Sequence, residues 1–161
     1  AEMRPLLGNT LVIAVPKNNP AGVTSPDDLK NERVQRIALA GENVPAGMYA
    51  DEALKTLMLY DDLLASGKIV RGHDVRVTLS YIERGEVEAG IVYATDVIGS
   101  TKAEAVYSFP EDVSPLIVLP LTLLKNSQHP QEAKLLYDHM SSPDAQTVYK
   151  RHGFSALASE G

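Results

Sequence analysis

The residues that most often carry chemistry are sparse in this chain and poorly grouped. His73, His129, His139 and His152 do not fall at metal-ligand spacing with one another. Asp27-Asp28, Asp61-Asp62 and Glu111-Asp112 each stand beside turn residues, where acids cap helices or stay solvated. There is no cysteine, so thiolate catalysis, disulfides and Cys-ligated metals are out of reach. The patterns G-x-S-x-G, G-x-G-x-x-G, H-E-x-x-H and the Walker loop do not occur. No enzyme, no cofactor and no direct cation ligand is therefore expected. What the chain offers instead is neutral hydrogen-bond donors. In "NVPAGMY" a helix opens on Pro45-Ala46-Gly47, with no cationic side chain in its first turn. A helix start leaves N–H groups unpaired and carries partial positive charge, so an anion can bind there without a lysine or arginine. A second such start follows Asp74, at Val75, and Tyr93 ends the apolar run "GIVY" with a hydroxyl.

Each charge-assisted hydrogen bond is worth about 1.5–3 kcal/mol, so two amides and one phenol matter. Three donors cannot encircle a tetrahedral anion, however. Each residue also has a plainer use. Gly47 suits close helix–strand packing, Asp74 suits a helix cap, and Tyr93 suits an ordinary strand. Both readings stand at this point.

The elements that must position these residues alternate. "TLVIAV" at 10–15 reads as a buried strand. Ser25, Pro26 and two acids predict a short helix over 26–31. "RIALA" at 36–40 is a strand, followed by a helix over 46–58 with Tyr49, Ala50, Ala53, Leu54 and Leu57 on one face. A short strand at 68–70 leads into a second helix, capped by Asp74 and stopped at Gly85. Strands are expected at 88–93, 104–109 and 115–124, the last with Pro120 inside it, which demands an edge, a bulge or a hinge. Helices over 130–140 and 143–151 close the chain, the second with Ser142 as cap and Gly153 as terminator. This alternation predicts an α/β fold with a mostly parallel central sheet and helices on both faces. Parallel strands would bring both donor helix starts, and Tyr93, to one carboxyl edge, where open α/β sheets bind ligands.

Composition agrees with a globular domain: 161 residues, 44% hydrophobic and 22% charged. Lys and Arg number 15 against 21 Asp and Glu, a net charge of −6, which argues against a general nucleic-acid or membrane-surface binder. No run approaches the roughly 18 apolar residues of a membrane span, and no signal-peptide pattern is present. The start, "AEMRPLLGNTLVIAV", enters an apolar run almost at once and reads like a chain cut in the middle.

Five blocks, "GNTLVIAVP", "NVPAGMYADEAL", "DVRVTLSYIERGEVEAGIVYATD", "VYSFPED" and "SPDAQTVYKRHGF", follow one another in an order and spacing that resembles the periplasmic molybdate-binding proteins of ABC transporters. The resemblance covers residues 8–154. "VPAG.YA.EAL" and "AGIVYATD" are its more specific parts. It implies a periplasmic-binding-protein-like (type II) lobe and a ligand, molybdate or tungstate, held between two lobes by neutral donors. Carried over by motif, one amide falls on Ala46, another on Val75, and the hydroxyl on Tyr93, with Pro45, Gly47 and Asp74 in support. It also implies that Ala46-Gly47 is small so that a dianion can approach the amide. A site of donors alone should reject phosphate, which has a proton to give, and should separate sulfate by size.

The family's first lobe, with two serine sites, would precede Gly8 and is missing here. The chain then resembles the second lobe over 8–124, including two crossover segments, plus C-terminal helices over 125–154 that would pack partly on the first lobe. Pro120 takes a hinge role by this analogy. Exposure of those segments predicts self-association. The implied partner is an ABC permease, and the implied location is the periplasm, or the cell surface as an anchored lipoprotein. Three other readings stay open. One is a ligand-sensing domain of a transcriptional regulator, which a helix-turn-helix upstream of Ala1 would mark. Another is a solute-binding protein for a different small anion. The last is an enzyme using Tyr93 as an acid, which lacks a partner base.

Overall fold

Short β-branched and aliphatic runs form the centre of the molecule, because each has enough apolar surface to be covered on both faces. The computed structural model describes residues 1–157, and these form two compact units. Thr10–Pro115 make one, and Ala1–Asn9 with the chain from Leu116 make the other.

The larger unit is built on a five-stranded sheet. Its strands are β2 (Leu11–Pro16), β3 (Ile37–Ala40), β4 (Ile69–Gly72), β5 (Ala89–Tyr93) and β6 (Ala103–Ser108), in the order β4-β3-β5-β2-β6. β3 pairs in parallel with β4 and with β5, whereas β2 pairs antiparallel with both β5 and β6. The sheet is thus mixed: four strands point one way and β2 runs against them. Helix α1 (Pro45–Thr56) connects through α2 (Tyr60–Ala65) to β4, and α3 (Val75–Glu83) connects β4 to β5. Both helices pack on β3 and β5. Val12, Ala14, Ala38 and Val92 gather with Ile82, Val87 and Leu79 on the α3 side of the sheet. Their strand neighbours Leu11, Ile13, Ile37, Leu39 and Ile91, fully buried too, point to the opposite face by the two-residue period.

Local signals act as expected at most element ends. Asp74 and Ser142 accept Val77 N and Ala145 N at 2.8 and 3.3 Å, and Gly85 and Gly153 take φ of 66° and 85° just past their helices. The stretch at 26–30 is a single 3₁₀ turn. Two helices escape the pattern. α2 follows Leu59, an N-cap without a capping side chain, and α4 (Ala94–Val97) is one turn long where only a polar turn was expected. Met58 ends α1 in the left-handed region at φ 58°, with Met58 N on Lys55 O at 2.9 Å and Leu59 N on Leu54 O at 2.8 Å.

The smaller unit holds a three-stranded antiparallel sheet in the order β7-β1-β8, from β1 (Glu2–Asn9), β7 (Ile117–Leu123) and β8 (Ser155–Ala156). Helices α5 (Pro130–His139) and α6 (Pro143–Arg151) belong to it. β1 was not anticipated. Its pairing lies more than 100 residues away along the chain, beyond any local pattern. Pro120 lies in the edge strand β7, directly opposite Pro5, and the register shifts between Pro5 and Leu7. Two prolines facing each other leave the ladder without either donor, so the strand bulges there. Among the described residues no helix is long and apolar enough to cross a membrane.

Candidate functional site

Parallel pairing decides where the donors meet. Ala40, the last residue of β3, lies opposite Gly72, the last of β4, and β5 runs parallel beside β3 to end at Tyr93. The three strands therefore finish at one edge, where α1 and α3 begin. Ala46, Val75 and Tyr93, and with them Pro45, Gly47 and Asp74, are all brought to that edge.

At the start of α1, Val44 is the N-cap in extended conformation and offers no capping side chain. Its own N–H is satisfied by Gly41 O at 2.9 Å, and Pro45 has none to satisfy. Met48 N already bonds Val44 O at 2.9 Å. That leaves the N–H groups of Ala46 and Gly47 without an acceptor among the described residues. Both residues are buried, Ala46 with 1% of its surface exposed. These are the donors that a helix start leaves open to an acceptor from outside the chain, water or an anion.

Gly47 meets the packing reading. A Cβ there would lie 2.1 Å from Gly41 O and 2.5 Å from Ala40 O. The missing side chain lets α1 close on the end of β3. Gly72 acts alike at the other start: its Cβ would meet Thr78 Oγ1 at 2.5 Å and Thr78 N at 2.9 Å.

At α3, Asp74 accepts Val77 N through Oδ1, and its carbonyl accepts Thr78 N and Thr78 Oγ1 at 3.0 and 2.8 Å. The Val77 N–H, with help from Arg76 N–H and His73, holds the Asp74 carboxyl below its ordinary pKa. Asp74 thus consumes the later donors of the turn and leaves the first, Val75 N–H.

Tyr93 is half-buried, and its N–H donates to Asp96 Oδ2 at 3.0 Å. Burial, then the nearby Tyr49 and Asp96, push the Tyr93 pKa up. The phenol therefore keeps its proton at neutral pH and can donate a hydrogen bond. Asp96 is also raised, chiefly by burial, against the pull of Tyr93 N–H and Arg76.

Several contributors are invisible to motif reading. Tyr49 comes from α1, where its spacing marks only a packed face. Arg71 spans two elements: Nη1 donates to Ala40 O at 3.1 Å and to Asp51 Oδ1 at 2.9 Å, and Nη2 donates to Asp51 Oδ2 at 3.1 Å and Tyr60 Oη at 3.3 Å. Glu42 lies 3.7 Å from Nη2. Arg71's positive charge is matched by the acids Asp51 and Glu42. Among the described residues no group of three His, Asp or Glu is placed to hold a metal ion. A cavity of about 310 Å³ lined by Leu121, Leu123, Leu136 and Tyr137 belongs to the smaller unit and shares no residue with this edge.

Helix starts that converge on one edge of an open α/β sheet are a recurrent setting for ligand binding. The chain belongs to the bacterial extracellular solute-binding proteins, whose family model matches residues 1–155. The family is one of solute-binding proteins, a binding and not a catalytic class. Among its relatives, a protein of Bacillus subtilis named as a substrate-binding lipoprotein of an ABC transporter is 43% identical over 152 residues, 94% of this chain and 57% of that protein. The molybdate-binding protein of Escherichia coli is 35% identical over 160 residues, 96% of this chain and 61% of that protein. A solved structure described as the substrate-binding domain of a molybdenum transporter from Clostridium difficile superposes with a TM-score of 0.85 at 29% identity, covering 97% of this chain and 67% of that one. The chain thus spans 57–61% of the length of the two curated relatives.

Proposed function

We propose that this chain is one lobe of a solute-binding protein for a tetrahedral oxyanion, molybdate or tungstate, and that it supplies part of the binding site. Ala46 N–H, Val75 N–H and the Tyr93 hydroxyl donate to the anion. Pro45, Gly47 and Asp74 shape the two helix starts. The observation that carries the reading is the convergence of unpaired N–H groups from α1 and α3 on the strand edge where Tyr93 ends. The names of the relatives supply the ligand class.

The chemistry is coherent. Molybdate and tungstate are dianions at neutral pH and accept hydrogen bonds without donating any. Helix starts serve such ligands by dipole and free N–H together. Hydrogen phosphate carries a proton that needs an acceptor, and these three groups offer none.

Further donors come from a complementary first lobe, for which the length of the relatives leaves room. The two-lobe protein delivers its anion to an ABC permease from the outer side of the membrane, in the periplasm or as an anchored lipoprotein. The lobe proper extends over 8–124, with 125–154 as helices that lean on the complementary lobe. When that surface is uncovered, a second copy covers it.

Calorimetric titration with sodium molybdate in sulfate-free buffer tests this, on the chain and on the longest reading frame that contains it. Saturation of the longer protein near one anion per chain is expected. Absence of saturation in both would remove the oxyanion reading.

A further inference from the structure

We infer that Arg71 is the positioning residue of this edge, holding the two donor-bearing helix starts at a fixed separation. The inference rests on the oxyanion reading for its functional meaning, and on geometry alone for the positioning itself.

Arg71 lies in β4, four residues before Val75, so its backbone belongs to the chain that leads into α3. Its side chain leaves that strand and joins α1. The fork grips both carboxylate oxygens of Asp51, and the same Nη1 donates to Ala40 O, the carbonyl on which the β3–α1 turn begins. Asp51 is on the second turn of α1, about one turn beyond Ala46 and Gly47. A shift of α1 along its axis would break the grip on Asp51. A shift of the β3 end would break the bond to Ala40 O. The pair is shielded from water, with Asp51 7% exposed and the Arg71 side chain 23% exposed, so these bonds compete little with solvent. A bidentate guanidinium fixes direction as well as distance, which a lysine cannot do. Arg71 touches no donor atom itself. Its role is to set where the Ala46 and Gly47 amides point relative to the Val75 amide.

Two variants of the full chain test this, Arg71→Lys and the double replacement Arg71→Met with Asp51→Leu. Replacing a buried ion pair by apolar residues of similar volume is often close to neutral for stability, so the double variant should melt near the unmodified protein. Amide NMR signals of Ala46, Gly47 and Val75 should nevertheless move in both variants without ligand. Molybdate affinity of the longer reading frame should fall about tenfold or more in both, and the preference for molybdate over sulfate should narrow. Either variant, once folded, that keeps these amide signals and the unmodified affinity would overturn the inference. Signals that move in a protein that binds no molybdate even unmodified would uphold Arg71 as a positioning residue and sink the oxyanion reading instead.

Discussion

A phenol donates to an anion only while it holds its proton, and Tyr93 is placed to keep it. Burial and the adjoining Tyr49 and Asp96 raise its pKa above the ordinary 10, so neutral solutions leave it fully protonated. Removing the hydroxyl removes one charge-assisted hydrogen bond and little else, since the ring remains. Tyr93→Phe should weaken molybdate binding roughly 10- to 150-fold, the equivalent of about 1.5–3 kcal/mol, with an unchanged melting curve. Equal affinity by calorimetry would show that Tyr93 is an ordinary strand aromatic. At this scale the positions of the three proposed donors, at two helix starts and a strand end, were legible. Their partners were not. Arg71 meets Asp51 across 20 residues and Tyr49 approaches Tyr93 across 44, and no local spacing marks either meeting.

The elements are positioned by close backbone approach at the turns that feed them. α1 can lie on the end of β3 only because Gly47 carries no side chain. Gly47→Ala should cost about 1–3 kcal/mol in urea unfolding, because the obstacle is backbone that cannot rotate away. An alanine variant as stable as the parent would contradict the packing described here. At the 3₁₀ turn, Asp28 Oδ2 accepts Thr24 N and Ser25 N, each at 2.9 Å, and both their hydroxyls, at 3.0 and 3.1 Å. Thr24, then Ser25, draw its pKa down from 3.8 to about 2. The sign follows from a lowered carboxylate: its contribution is present above the unfolded pKa and is lost as pH falls through the folded one. Stability should therefore drop between about pH 4 and about pH 2, and Asp28→Asn, measured by urea unfolding across that range, should flatten the drop. Asp28 is partly exposed to solvent, so the effect is small. Caps, prolines at helix starts and glycines at helix ends placed most elements from sequence. α2 was missed because Leu59 gives no cap signal, and α4 because one turn is too short to show a period.

At the scale of the whole molecule, the chain folds as two units of different character. The larger has a sheet covered on both faces by helices. The smaller ends in an edge strand, β7, whose Val118, Leu119 and neighbouring Leu124 are exposed, Leu124 at 68%. A long apolar edge is a template for pairing with another strand. Self-association that rises with concentration is expected in sedimentation velocity, weakened by Leu124→Lys. A clean monomer at high concentration would contradict it. The sequence carried the α/β alternation and the longer helices of both units, but not β1, β8, α2 or α4. It could not show that β1 and β7 pair, because antiparallel partners at the two ends of a chain leave no periodic trace. Nor could it show that the division falls after Asn9 and Pro115, which places the strand at 117–123 with the C-terminal helices.

The central claim is that neutral donors from α1 and α3 serve one oxyanion at one sheet edge. Amide NMR of the longest reading frame, titrated with molybdate in sulfate-free buffer, tests it most directly. The account predicts that the signals of Ala46, Gly47 and Val75 move together and saturate on one binding curve, with Tyr93 following. Saturation that leaves these three amides in place and moves the residues around Leu121 and Tyr137 instead would contradict it.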